Sequence, residues 1–150
     1  MINSNISNVY LNNGTYIAAG GHLRDSRVEN MEAINIITGI RGIDARDTIF
    51  RNLTFHLSQI GDRAFSDSGS TGGIISRNLV IEDSFFHGFA TAIQIGNGAQ
   101  NITIRNTFFS QNVRGIRTFL PLFQAQDIFI YNNTFYGGDY DITLTGSEDS

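Results

Sequence analysis

The sequence contains no cysteine, which excludes a disulfide framework, a thiolate nucleophile and any cysteine-based metal site. It also contains no lysine, since all ten basic residues are arginine. Schiff-base chemistry and a phosphate-loop lysine are therefore out. Proline occurs once, and charged residues make up only 16% of the chain, against about 25% in an average domain. The net charge of -4 argues against an electrostatic grip on nucleic acid or on an anionic membrane. No apolar run is long enough for membrane insertion, and Met1 leads straight into polar asparagines with no signal-peptide pattern. If the protein is secreted, its signal lies outside this chain.

What fills the space is glycine, 16 residues, and asparagine, 15, a mixture that points to many turns and few long helices. With 41% hydrophobic residues the chain is not disordered. Its 150 residues suit a single domain, 1–150.

The chain repeats itself. Arg24-Asp25-Ser26-Arg27-Val28-Glu29-Asn30-Met31 returns 22 residues later as Arg46-Asp47-Thr48-Ile49-Phe50-Arg51-Asn52-Leu53. Further copies start at Arg77, Gln100 and Gln126, and a degenerate first copy covers Asn3–Asn8. Six copies anchor on Ile6, Val28, Phe50, Ile81, Ile104 and Ile130, with spacings of 22, 22, 31, 23 and 26. Five positions on stand Leu11, Ala33, Phe55, Phe86, Phe109 and Phe135. Seven further come Ala18, Ile40, Ile93, Ile116 and Ile142, the third copy being shifted. The unit is too short for a helix pair or a propeller blade. Within it apolar residues alternate with period two, as in Ile102/Ile104 and Ile93/Ile95, which is strand alternation broken by Asn, Asp and Gly corners. We therefore predict an all-β, single-stranded parallel β-helix of about six coils of ~22 residues, roughly 30 Å long at the strand spacing.

The segments Asn78–Asp83, Asn101–Asn106 and Asp127–Asn132 resemble the Asn-Ile-x-Ile-x-Asn strand and corner of right-handed parallel β-helices in the pectin-lyase-like superfamily. The resemblance spans nearly the whole chain at the level of architecture. It implies a right-handed coil with a carbohydrate-facing groove along one sheet, often with Ca²⁺ neutralising a uronate; Ca²⁺ enters by this analogy alone, and no other cofactor is expected. The family's catalytic motifs are missing: there is no Asp-Asp followed by Gly-His-Gly, no Arg-x-Pro-x-x-Arg and no Trp-x-Asp-His. No catalytic residue is carried over.

Stacking converts each register into a column with a physical job. Asn8, Asn30, Asn52, Asp83, Asn106 and Asn132 form an internal side-chain ladder at a corner that tolerates left-handed backbone. Phe55, Phe86, Phe109 and Phe135 form an inward aromatic stack. Ser7, Glu29, Arg51, Glu82, Arg105 and Tyr131 alternate in sign, an outward ladder worth about a few tenths of a kcal/mol per pair. Arg24, Arg46 and Arg77 stack beside Asp25 and Asp47, which screen them. Five Asn-x-Ser/Thr triplets fall out of the coil pattern and are read as structural.

Chemistry on a solenoid sits on a lateral face or on loops that break the repeat. The third copy's nine extra residues fall at Ser66–Gly73, near Asp62 and Arg63. An apolar loop, Phe119-Leu120-Pro121-Leu122-Phe123, should cover something, first of all the chain's own flank. His56 and His87 share a column with Ser110 and Tyr136, so the two imidazoles become neighbours able to share a proton or a metal. No carboxylate lies in that register, and no metal site is assigned. Asp139 and Asp141 flank Tyr140, and two carboxylates on one strand face would stand within the roughly 6.5–9.5 Å of an inverting glycosidase. The coils before carry Val113/Gly115 and Ala90/Ala92 there, which suggests a turn and solvated acids. Arg41, Gln94 and Arg117 share one register, with Arg114 nearby, and are suited to gripping a uronate carboxylate.

Two functions follow. One is an extracellular module that binds, or processes as a lyase or glycoside hydrolase would, an acidic polysaccharide on a lateral face; binding is favoured over catalysis. The other is a non-catalytic structural, adhesin or fibre segment that self-associates through its coil ends and the Phe119–Phe123 loop. The repeat begins by about residue 3 with no capping helix, so the chain is expected either to stack end to end or to be a segment of a longer solenoid.

Overall fold

A computed structural model describes residues 4–13, 16–67, 76–96, 98–120 and 126–146. The strands are β1 (Asn5–Asn12), β2 (Tyr16–Arg24), β3 (Arg27–Ile34), β4 (Thr38–Asp67), β5 (Arg77–Glu82), β6 (Phe85–Ile95), β7 (Gln100–Arg105), β8 (Phe108–Ser110), β9 (Arg114–Leu120), β10 (Gln126–Tyr131), β11 (Thr134–Tyr136) and β12 (Tyr140–Gly146). Among the described residues there is no helix, hence none long and apolar enough to cross a membrane. The strands join one 12-stranded sheet in which the inter-strand pairings are parallel. The result is a β-solenoid of about five turns; six copies of the anchor enclose five steps from coil to coil.

The anchors lie directly over one another. Ile6 pairs with Val28, Val28 with Phe50, Phe50 with Ile81, Ile81 with Ile104 and Ile104 with Ile130. The Leu11–Ala33–Phe55–Phe86–Phe109–Phe135 column is equally continuous. Its rings follow at centroid distances of 5.6, 5.8 and 4.8 Å from Phe55 to Phe135. The shifted member of the third apolar column is Phe65, which pairs with Ile93 above Ile116 and Ile142. Phe50, Phe55, Phe65, Phe86, Phe89 and Phe109 are fully buried and fill the interior. Buried polar groups stitch coils together there. Asn112 accepts from the Phe89 amide and donates to the Phe86 carbonyl, both at 2.9 Å.

Three corner columns turn the chain, each built on left-handed backbone. The first is Asn8, Asn30, Asn52, Asp83, Asn106 and Asn132, with φ between 51° and 57°. The second runs Asn13, Asn35, Gly88, Gln111 and Gly137, and the third Asp25, Asp47, Asn78, Asn101 and Asp127. Left-handed backbone costs most L-residues about 1–2 kcal/mol, and Asn, Asp and Gly least, which is why these three residue types occupy every corner but that of Gln111.

The corners also show where the coil can change length. Among the described residues, five separate the third corner from the first in each of the five coils that show both, and five separate the first from the second wherever both are left-handed. The remaining side runs 12 residues from Asn13 to Asp25, 13 from Gly88 to Asn101 and 16 from Gln111 to Asp127. The third coil has no left-handed second corner, and β4 runs on from Thr38 to Asp67 with a register shift between His56 and Gly61.

Two columns differ from expectation. The Asn8–Asn132 ladder is exposed, not internal, because a side chain at a convex corner is directed away from the wound sheet. Its amides still run coil to coil, Asn52 donating to Asn30 at 2.8 Å and Asn106 to Asp83 at 3.1 Å. The aspartates of the third corner form no ion pair with the stacked arginines among the described residues. Asp47 accepts from Asn78 at 2.6 Å and Asn78 from Asn101 at 2.8 Å, so this corner is a second amide ladder. Arg46 instead turns its Nε to Asp44, 3.3 Å away. Residues 68–75 and 121–125, which hold most of the two anticipated loops, lie outside the described residues.

Candidate functional site

The long side between the second and third corners presents a lateral face built by β4, β6, β9 and β12. One rung aligns Arg63, Thr91, Arg114 and Tyr140, and the next aligns Ser66, Gln94, Arg117 and Thr143. Arg114 lies over the Tyr140 ring, 5.7 Å from its centroid. Arg63 reaches Asp62 at 3.6 Å, and Arg41 approaches the same carboxylate at 3.9 Å. Gln94 and Arg117 are therefore rungs of one ladder, as their spacing predicts, with Arg114 three residues away on the same strand. Arg41 is not their neighbour. It pairs with Ala19 in the coil before, and it is Ser66 that pairs with Gln94. Sequence spacing passed over Arg63 because the register shift between His56 and Gly61 precedes it, and Tyr140 because its column is chemically mixed.

Asp139 and Asp141 are both exposed and do not form a pair on one strand. Asp139 precedes β12, whereas Asp141 lies within it, its backbone carbonyl packed on Gly115. The glycosidase-like separation argued from strand geometry does not apply to them.

On the opposite side of the first corner, the alternating-charge column closes into a clamp. Glu82 accepts from Arg51 Nε at 2.6 Å and from Arg105 Nε at 2.7 Å, one coil to either side. A second guanidinium nitrogen of each arginine also contacts it. Tyr131 then accepts from Arg105 at 3.1 Å. The Glu82 side chain is only 2% accessible, so this is more than the exposed ion-pair ladder anticipated. Burial pushes its carboxyl up, but the hydrogen bonds and charges of Arg105 and Arg51 outweigh that and hold it below the ordinary glutamate value. Replacing Glu82 with Gln is expected to cost about 1–2 kcal/mol at neutral pH, discounted because both arginines are partly exposed. A carboxyl with a lowered folded pKa stabilises above its unfolded value of ~4.3 and loses that contribution as pH falls below it. Urea denaturation should thus show a wild-type advantage at neutral pH that shrinks under acid; a constant gap would contradict the clamp.

The side between the first and second corners carries the histidines. Ile34, His56, His87, Ser110 and Tyr136 are aligned coil on coil. The imidazole centroids of His56 and His87 are 4.5 Å apart and their planes tilt by 39°. His87 Nδ1 lies 3.2 Å from Ser110 Oγ, and the Phe85 ring is stacked at 14° on its flank, 6.2 Å away. Burial, and then the neighbouring His56, lower the His87 pKa below its ordinary value, which favours neutral imidazole. Another pair, not singled out from the sequence, lies elsewhere: His22 Nδ1 is 3.0 Å from the buried carboxylate of Asp44. Its sequence signal was the 22-residue offset, seen in one pair of coils only. Among the described residues no group of three or more His, Asp or Glu is placed to hold a metal.

Comparison with protein-family models, with curated proteins and with solved structures gives no match.

Proposed function

We propose that the protein is a β-solenoid module that binds an acidic polysaccharide along the lateral face of β4, β6, β9 and β12, by binding and not by catalysis. The observation that carries this reading is the cationic and polar ladder on that face. Arg63, Arg114, Arg117 and Gln94 lie on consecutive coils of a chain whose net charge is -4. Arg63 and the Arg114/Arg117 pair stand two coils apart with Gln94 on the coil between, and guanidinium forks so spaced suit a polymer that carries carboxylates at intervals, because each fork takes a carboxylate through two hydrogen bonds. Tyr140, over half exposed, offers a flat apolar surface at the end of the rung for a sugar ring. The likeness to pectin-lyase-like β-helices supports the same ligand class and an extracellular site of action, with Ca²⁺ as a bridging ion.

A structural or adhesin segment is the second reading. The saturation of the Asn/Asp ladders and of the Arg51–Glu82–Arg105 clamp by their own neighbours favours it, since those surfaces have little left to offer a ligand.

Affinity electrophoresis through gels containing polygalacturonate, with and without Ca²⁺, tests the proposal. Retardation is expected on the acidic polymer and not on a neutral glucan. The double variant Arg114→Ala/Arg117→Ala should weaken it by about tenfold or more. Ultraviolet absorbance of unsaturated product should stay flat. Unretarded migration in both gels would remove the binding reading and leave the structural one, for which sedimentation should then show concentration-dependent assemblies.

A further inference from the structure

We propose that His56 and His87 form a two-imidazole binding site for one divalent transition-metal ion of the copper, nickel and zinc group. The site faces outward between the first and second corners, away from the polysaccharide face, and does not depend on that reading. Parallel register places the two residues directly over each other on adjacent coils, with ring centroids 4.5 Å apart. That brings two imidazole edges close enough to converge on one ion after a small rotation of the exposed His56 ring.

His87 is already held as a ligand would be. A metal-bound histidine commonly donates its second ring N–H to an oxygen, which fixes the ring and its tautomer. Ser110 Oγ, 3.2 Å from His87 Nδ1, is that oxygen, and with Nδ1–H donated to it the Nε2 lone pair is left for the ion. The stacked Phe85 ring limits the swing of the imidazole. With two nitrogen donors and no carboxylate in the column, the site suits borderline cations that take imidazole. It does not suit Ca²⁺ or Mg²⁺, which require oxygen. Water completes the coordination.

The test uses the full chain without a polyhistidine tag, titrated with Cu²⁺ in a non-coordinating buffer at neutral pH and followed by electron paramagnetic resonance. One saturable equivalent is expected, with nitrogen hyperfine coupling from two imidazoles, displaced by Zn²⁺ and not by Ca²⁺. His56→Gln and His87→Gln should each abolish that signal. Ser110→Ala should weaken binding by roughly 10–100-fold while both ligands remain, and His22→Gln should leave it unchanged. The proposal is overturned by absence of saturable binding, by binding that survives both histidine substitutions, or by its loss on His22→Gln alone. Should His87→Gln fail to fold, the exposed His56 variant decides between these outcomes.

Discussion

Phe86→Ala is expected to lower the stability of the fold by about 3–5 kcal/mol, the usual range for emptying a fully buried phenylalanine site. Phe86 has no accessible surface, and its ring is enclosed from both sides, edge-on by Phe55 at 5.6 Å and by Phe109 at 5.8 Å. Its loss breaks two aromatic contacts and leaves a cavity that neighbours cannot refill, because the backbone around it is tied into parallel ladders on both sides. In a solenoid each coil is stabilised chiefly by the two it touches, so a defect in the middle severs the coupling between the halves. Against a total of about 5–15 kcal/mol for an ordinary domain, the variant should be close to unfolding. Phe135→Ala is the comparison. That ring stacks on Phe109 alone, at 4.8 Å, is only partly buried, and should cost about half as much. Denaturant titration of the two variants separates them; equal losses would mean that the stack is not what holds the middle coils.

The second large effect is predicted at Gly39. A Cβ built there falls on the Ala64 carbonyl oxygen and lies 3.1 Å from the Phe55 ring. The obstacle is backbone, which cannot rotate aside as a side-chain tip can, and that backbone is fixed within β4. Gly39 is not among the residues with positive φ, so Gly39→Ala tests close approach alone. Alanine would gain about 0.4–1 kcal/mol by restricting the unfolded chain, but overpacking of this kind costs about 1–3 kcal/mol and occasionally more. A net loss of up to about 2.5 kcal/mol is expected. Gly137→Ala offers the converse case: its φ is 66°, and an added Cβ meets only Gln111 Cγ at 3.5 Å. It should cost about 1 kcal/mol, for backbone conformation alone. If thermal melts rank Gly137→Ala as the more damaging, the packing argument at Gly39 is wrong.

The columns were legible before any coordinates because stacked coils give one register the same job repeatedly. Ile6 through Ile130, and the aromatic column ending at Phe135, could be aligned by counting. Counting failed wherever only one coil carried the information. Phe65 occupies the third apolar column, but the extra residues after His56 hide it. Column membership also carries no sign for in or out at a corner. The Asn8–Asn132 series was placed correctly along the chain and on the wrong side of the wall, since its polarity fits either. Asp44 was missed as the partner of His22 because a single offset does not make a pattern. Glu82 was placed in the right column, but alternation of sign alone does not reveal that two guanidinium groups close over one carboxylate.

The constant five-residue sides have a consequence for how such a chain can change. Two walls of the tube behave as a rigid spine whose dimensions are set by left-handed corners, while the third wall grows or shrinks without disturbing them. Across the longest interval, Arg46 still meets Arg77 and Phe50 still meets Ile81. Insertions and deletions are therefore absorbed along a single stripe. Foreign segments grafted into that stripe should leave the rest of the winding in phase, whereas one residue added to either short wall would throw every later rung out of step.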